Sequence, residues 1–242
     1  MKSHDHKIKI QDAYSLRCMP QVHGAVRDTI IYCKGILETE INSATDNPLI
    51  FSETGEYISG GNFHGEPIAL IADFLSIAIS ELANISERRT ARIVDGSLSG
   101  LPRFLTNNGG LHSGLMIAQY TSAALVSENK VLCHPASVDS IPTSANQEDH
   151  NSMGSIGARK FYKVTENVKN VIAIEMLCAA QGLDFHLPLK SGAGINAAYN
   201  YIRKKIKHIS KDGILNLEIE KMNKLIMEES FLQTVEKITG KL

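Results

Sequence analysis

The 242-residue chain contains no tryptophan, and aromatic residues make up only 6% of it. Isoleucine, leucine, serine and alanine dominate instead, a palette that suits close helix packing better than a sandwich of strands. An excess of one charge is also missing. The formal net charge is −1, which gives no argument for nucleic acid or an anionic membrane as a partner. The four cysteines, Cys18, Cys33, Cys133 and Cys178, form no C-x-x-C pair and sit in helix-like or apolar surroundings. They read as reduced and mostly buried, and the expected location is cytoplasmic. Residues 1–7 lack the apolar core of a signal peptide. The most apolar stretch, residues 68–85, contains Asp73 and Glu81, which argues against a membrane span. Nine histidines show no H-E-x-x-H spacing: His4 and His6 are terminal, while His64, His112, His134 and His150 are isolated along the chain, so no metal site is expected. The Ser-Gly pairs at Ser99, Ser113 and Ser191 lack the G-x-S-x-G frame of a hydrolase.

What is present is mostly long helix. Hydrophobic content is 43% and charged content 21%, ordinary for a globular chain of one large domain or two small ones. Val22, Val26, Ile30, Cys33, Leu37, Ile41 and Ala44 recur at three- and four-residue steps and predict a helix over 20–44, ended by Asp46-Asn47-Pro48. Residues 49–58 read as a short hairpin or extended loop. Ser59-Gly60-Gly61-Asn62-Phe63 reads as a turn whose glycines are free to take positive φ. A second helix follows from Pro67 to about Arg92, apolar on most of its circumference and therefore buried by neighbours. Its end carries Arg88, Arg89 and Arg92, favourable for the macrodipole. A loop over 101–110 precedes a third helix over about 112–134. A fourth runs over about 152–180 and is expected to end at Gly182. Shorter amphipathic helices are expected near 193–208 and 217–229. The fold class is therefore all-α, a bundle of long helices, with 1–185 as the bundle and 186–242 as a short-helix segment packed on it. Helices well beyond the globular mean of about 11–12 residues also point to subunit contacts.

Three polar segments interrupt this pattern. Gln11-Asp12-Ala13-Tyr14-Ser15-Leu16-Arg17-Cys18 offers an amide, a phenol and a guanidinium; in a helical turn Tyr14 and Arg17 face the same way. Arginine can clamp a carboxylate through two parallel hydrogen bonds, and it can equally be a capping residue beside a packing tyrosine. Gly60-Gly61-Asn62-Phe63-His64-Gly65-Glu66-Pro67 is a glycine-rich turn at a helix start, where a polar ligand can bind; a plain tight turn is the simpler reading. Thr143-Ser144-Ala145-Asn146-Gln147-Glu148-Asp149 lies between apolar helices, so its amides and carboxylates are expected to face an interior or an interface. A carboxylate there can accept a hydrogen bond from a basic group or act as an acid or base; alternatively Asp149 or Ser152 caps the following helix.

Taken together, residues 11–18, 43–49, 59–64, 86–89 and 137–150 resemble the aromatic amino acid lyase family over most of the chain. The resemblance implies an almost all-α fold of long, largely antiparallel helices, a homotetramer with active sites built from more than one subunit, and elimination of ammonia from an amino acid. The acidic Glu148 favours L-histidine, with trans-urocanate as product, over phenylalanine, whose ring has no proton to donate. On the matched positions, Arg17 resembles the carboxylate-binding arginine. Tyr14 and Gln11 resemble residues near the substrate and the electrophile, Phe63 a pocket aromatic, and Glu148, next to Gln147, the carboxylate that recognises the imidazole. Tyr14 and Glu148 are thus the catalytic candidates, and Gln11, Arg17, Phe63 and Gln147 the substrate-binding ones. Ala13 stands where the family usually has proline. The family electrophile is a methylidene-imidazolone formed from an internal Ala-Ser-Gly. This sequence has none: its Ser-Gly pairs follow Ile58, Leu98, His112 and Lys190, and its Ala136-Ser137 precedes Val138. The expectation is a C-terminal portion that supplies substrate-binding residues, requires a separate N-terminal half for activity and forms homo-oligomers. A lyase-derived helical assembly without catalysis is the alternative.

Overall fold

The structure, a computed structural model, describes residues 10–241. His4, His6 and the leaderless start read for residues 1–7 lie outside the described residues. Among those described, the all-α expectation holds. In chain order the elements are α1 (Tyr14–Arg17), α2 (Met19–Ile41), β1 (Leu49–Phe51), β2 (Glu56–Ile58), α3 (Glu66–Val94), α4 (Gly96–Ser99), α5 (Met116–Leu132), α6 (Gly154–Asp184), α7 (Ala193–Lys205), α8 (Leu215–Ile226) and α9 (Glu229–Thr239). The strands pair antiparallel with Leu49 opposite Ile58, and Gly55 takes φ 72° in the connecting turn.

The chain divides into two compact units. The first comprises Met1–Pro20, Ala83–Ser127 and Asn167–Leu242; the second comprises Gln21–Leu82 and Glu128–Glu166. The core of the first is built from Leu105, Leu115, Ile174, Leu177, Ile206, Met222 and Leu225. These are apolar side chains from α6, α7, α8 and the loops beside them, removed from water together. In the second, small residues let α3 and α6 approach closely. A Cβ on Gly157 would touch that of Ala72 at 3.4 Å, and one on Gly154 would touch that of Ala69 at 3.5 Å. Within each unit the contacts of α3 and α6 keep a spacing near 85 residues, as in Ser86 Oγ donating to Val171 O. Those two helices therefore run parallel, an arrangement that needs a long connection, here one that contains α5.

α3 is the one described helix long and apolar enough to cross a membrane. Its buried Asp73, Ser76, Ser86, Glu87 and Thr90 instead find partners inside the protein. Asp73 accepts from the Ser137 amide at 2.7 Å and faces Lys160. Glu87 accepts from Gln119 at 2.8 Å and pairs with Arg88. This is a core helix, most of whose buried polar groups bond to neighbours or to the helix's own carbonyls, Asp73 Oδ1 having no hydrogen bond beyond the facing Lys160 charge.

Several boundaries differ from the sequence pattern, each for a local reason. α2 stops at Ile41 because the side chains of Asn42 and Ser43 fold back onto the carbonyls of Glu38 and Thr39, satisfying the last turn. α5 begins at Met116 and not near 112, because Gly114 (φ 55°) tucks under the Phe104 carbonyl, where a Cβ would lie 2.4 Å from the oxygen. Gly182 does not end α6. The helix continues to Asp184, and the glycine instead admits Ile93 and Leu101, whose methyls would be 3.0 and 3.1 Å from a Cβ. Gly60 and Gly61 do not use positive φ. Their turn is held by Asn47, whose side-chain oxygen accepts from the Gly60 amide at 3.0 Å. α9 lies beyond the last helix that the sequence pattern predicts. All four cysteines are free thiols, and burial pushes Cys178 up to about 12.

Candidate functional site

The site residues read from the sequence fall into two groups, one in each unit. In the first unit, Ala13 starts α1 with an extended conformation (φ −61°, ψ 153°) and its carbonyl accepts the amides of Leu16 and Arg17 at 3.0 Å. One turn of helix puts Tyr14 and Arg17 on the same side, as the three-residue spacing requires. The guanidinium carbon lies 4.4 Å from the centre of the Tyr14 ring, a cation–π distance. Arg17 Nε donates to Asp12 O at 3.0 Å. This fixes the base of the planar fork while the side chain stays exposed, able to take a carboxylate through two parallel bonds. Gln11 is exposed as well.

In the second unit, residues 141–150 are all exposed on this chain, so the polar run does not face this chain's own interior. It is nonetheless a built loop. Ser144, Ala145 and Asn146 have φ of 47°, 55° and 69°, three successive non-glycine residues in the left-handed region, each at a cost of roughly 1–2 kcal/mol. The strained turn is closed by Thr143 N donating to Glu148 O at 2.9 Å. It is stapled at its base by Asn151, whose side-chain amide donates to Ile141 O and Glu148 O. Such outliers persist where surrounding bonds over-determine them, and they cluster at functional positions. Within the loop the Glu148 carboxylate receives hydrogen bonds from the side chains of Ser144 and Thr143, which hold it below the ordinary carboxylate value. Glu148 is thus kept ionised and acceptor-only. Of the two capping candidates, Ser152 accepts weakly from Gly154 N at 3.5 Å.

The structure also joins two histidines that are isolated in sequence. His64 Nδ1 accepts from Glu66 N at 3.3 Å, and its Nε2 meets His150 O at 3.1 Å. The two rings stack 27° apart with centroids 5.5 Å apart. The side chains of His64, Glu66 and His150 present potential metal-binding atoms within 4.8 Å of one another. In this hydrogen-bonded form, however, both nitrogens of His64 are engaged: one accepts an amide hydrogen and the other donates to a carbonyl. The cluster works as a clamp between the turn carrying Phe63 and the loop carrying Glu148. The 86-residue separation left no local spacing by which the sequence could show it.

Gln11, Tyr14, Arg17, Phe63, Gln147 and Glu148 are all exposed, Tyr14 at 70% and Phe63 at 50%. One group offers a cation for a carboxylate and the other a carboxylate for a basic ring. Neither is shielded from water, which weakens both.

The chain belongs to the aromatic amino acid lyase family, whose model matches residues 1–204. Among curated relatives it is 57% identical to a histidine ammonia-lyase of Alkaliphilus oremlandii over 96% of this chain and 46% of that protein. It is 62% identical to one of Caldanaerobacter subterraneus subsp. tengcongensis over 88% of this chain and 42% of that protein. Among solved structures, the crystal structure of histidine ammonia-lyase from Trypanosoma cruzi superposes with a TM-score of 0.90 at 51% identity, covering 94% of this chain and 45% of that one. The chain spans about half the length of the curated relatives it matches.

Proposed function

We propose that this chain is the substrate-recognising portion of a histidine ammonia-lyase, an enzyme that converts L-histidine to trans-urocanate and ammonia. The observation that carries the reading is Glu148. An ionised carboxylate held on a strained, stapled loop is suited to accept an imidazole N–H, and the relatives at 57% and 62% identity are histidine ammonia-lyases. In this reading Arg17 binds the substrate carboxylate through its fork and Gln11 helps hold the same end. Tyr14 places its phenol beside the reacting amine, Phe63 packs on the ring, and Gln147 flanks the imidazole acceptor. The carbon–nitrogen bond breaks with loss of the adjacent carbon-bound proton, giving the double bond of urocanate.

A methylidene-imidazolone is the electrophile that activates the departing amine in this family. The residues here do not fit its formation, because the sequence has no Ala-Ser-Gly. Each of the two groups of exposed site residues fits a half-site completed by further protein: the electrophile-bearing part of the lyase, other copies of this chain, or both. The cytoplasm is the proposed location.

Nuclear magnetic resonance titration tests the recognition half of the reading. L-Histidine at millimolar concentration is expected to shift both the Tyr14–Arg17 signals and those of residues 143–150, and imidazole alone only the latter. Glu148→Gln is expected to weaken the loop response by about tenfold or more, the effect of one hydrogen bond to a charged group. An unchanged response in Glu148→Gln would remove Glu148 from the recognition role.

A further inference from the structure

α1 is four residues long, has no side-chain cap and buries none of its residues. One helical turn closed by two amide bonds to Ala13 O and one from Cys18 N to Tyr14 O is not stable by itself in water. Yet Tyr14 and Arg17 must be held within about 0.5 Å and roughly 10–20° to act on a substrate. Something outside α1 has to hold it.

Arg89 does so. It projects from α3 and forms a fork-to-fork pair with Glu175 of α6: Nη2 donates to Oε2 at 2.8 Å, and Nε donates to Oε1. Its remaining terminal nitrogen, Nη1, donates to the backbone carbonyl of Ser15 at 3.4 Å, in the middle of α1. The pair is well shielded, with the Arg89 and Glu175 side chains 15% and 21% exposed, so its partners are not easily replaced by water. Arg89 and Glu175 lie on parallel helices whose packing below them is close, Ser86 donating to Val171 O one turn earlier. Glu175 thereby fixes the plane of the guanidinium. A lysine, with a point charge and no fork, cannot hold Glu175 and reach Ser15 together.

We propose that Arg89, oriented by Glu175, is a positioning residue for the carboxylate-binding end of the site: it carries the rigidity of the α3–α6 pair to the turn that presents Tyr14 and Arg17. The proposal rests on the reading of Arg17 given above for its functional meaning, whereas the anchoring itself is a property of the chain. It also gives the Ser86-Glu87-Arg88-Arg89 segment a role beyond favouring a helix end.

Hydrogen exchange on the 242-residue chain tests it, using Arg89→Lys and Glu175→Gln so that a positive charge or a hydrogen-bonding partner remains and the helices stay paired. The amides of Leu16, Arg17 and Cys18 are expected to exchange roughly tenfold faster in Arg89→Lys, the loss of one hydrogen bond to a charged donor. Those of Leu177 and Cys178 in the α6 core should keep their protection. Glu175→Gln, which leaves a weaker partner for the fork, is expected to fall between wild type and Arg89→Lys. Unchanged exchange at residues 16–18 overturns the proposal. So does equal acceleration at 16–18 and at 177–178, which would make the pair a general stabiliser. A second readout separates anchoring from function. In Arg89→Lys the affinity for L-histidine should drop about tenfold while that for imidazole, which has no carboxylate, stays constant. If wild-type chain binds neither ligand, the functional reading of Arg17 fails, and the exchange data still decide the anchoring.

Discussion

Glu148 and Asp184 show how single carboxylates take opposite duties in the same chain. Glu148 is exposed and held low by two hydroxyl donors, free to receive a ligand. Asp184, at the end of α6, is half-buried. Burial works against its charge, but Tyr199, His208 and Arg203 together hold it below the ordinary 3.8, with Tyr199 Oη at 2.6 Å and the Arg203 fork at 3.1 and 2.8 Å. A depressed folded-state value means that the stabilisation is complete above the unfolded value and is lost as pH falls through the folded one. Wild type should therefore lose stability below about pH 4 more steeply than Asp184→Asn, measured by urea midpoints across that range. Above it the variant should be less stable by about 1–3 kcal/mol, the usual loss when a partly buried charged network is broken. Equal slopes in acid would remove Asp184 from the linkage. Ala13 gives a prediction of the other sign. Its φ of −61° matches the value proline is locked to, so Ala13→Pro should raise stability by about 0.4–1 kcal/mol by restricting the unfolded chain; a lower melting temperature would show that the Ala13 amide or the Asp12 backbone needs its present freedom.

The elements were legible where one period ran long and illegible where tertiary contacts reset a boundary. The apolar stripes of α2, α3 and α6 placed those helices within a few residues of their observed limits, because burial of a broad face is written at three- and four-residue steps. Gly182 misled because a glycine late in a helical pattern is ordinarily a terminator, while here a neighbouring side chain needs the space, which no local pattern records. Gly182→Val should cost about 1–3 kcal/mol by forcing Ile93 and Leu101 aside, and a neutral result in chemical denaturation would mean α6 can shift at its end. The same reasoning covers the site. Tyr14 and Arg17 share one turn, as their spacing indicated. The His64–His150 contact and the Arg89–Glu175–Ser15 chain join residues 74 to 86 positions apart, and nothing in local sequence marks such pairs.

On the scale of the molecule, the long helices α2 and α3 expose large apolar side chains. Ile31 and Tyr32 of α2 and Leu70 of α3 are more than half exposed, and Phe74 and Ile77 of α3 only somewhat less. An apolar groove of about 380 Å³ is lined in part by Val22, Ala25, Phe74 and Ile77. Contiguous patches of this kind on a soluble chain mark association surfaces. The chain is expected to self-associate through α2 and α3, with light scattering showing a mass above 26.5 kDa that falls on Ile31→Glu with Phe74→Glu. A monomer at all concentrations would contradict it. The family resemblance set the overall plan in advance, but assembly and completion of the site depend on surfaces between chains, which one sequence does not show. The most direct test of the central claim is urocanate formation, followed by absorbance, with this chain alone and co-expressed with the Ala-Ser-Gly-bearing portion of a related lyase. The chain alone should give no product, the combination should turn over L-histidine, and Glu148→Gln should lower that turnover by about tenfold or more. Product from the chain alone, or none from a stable combination, would contradict that claim.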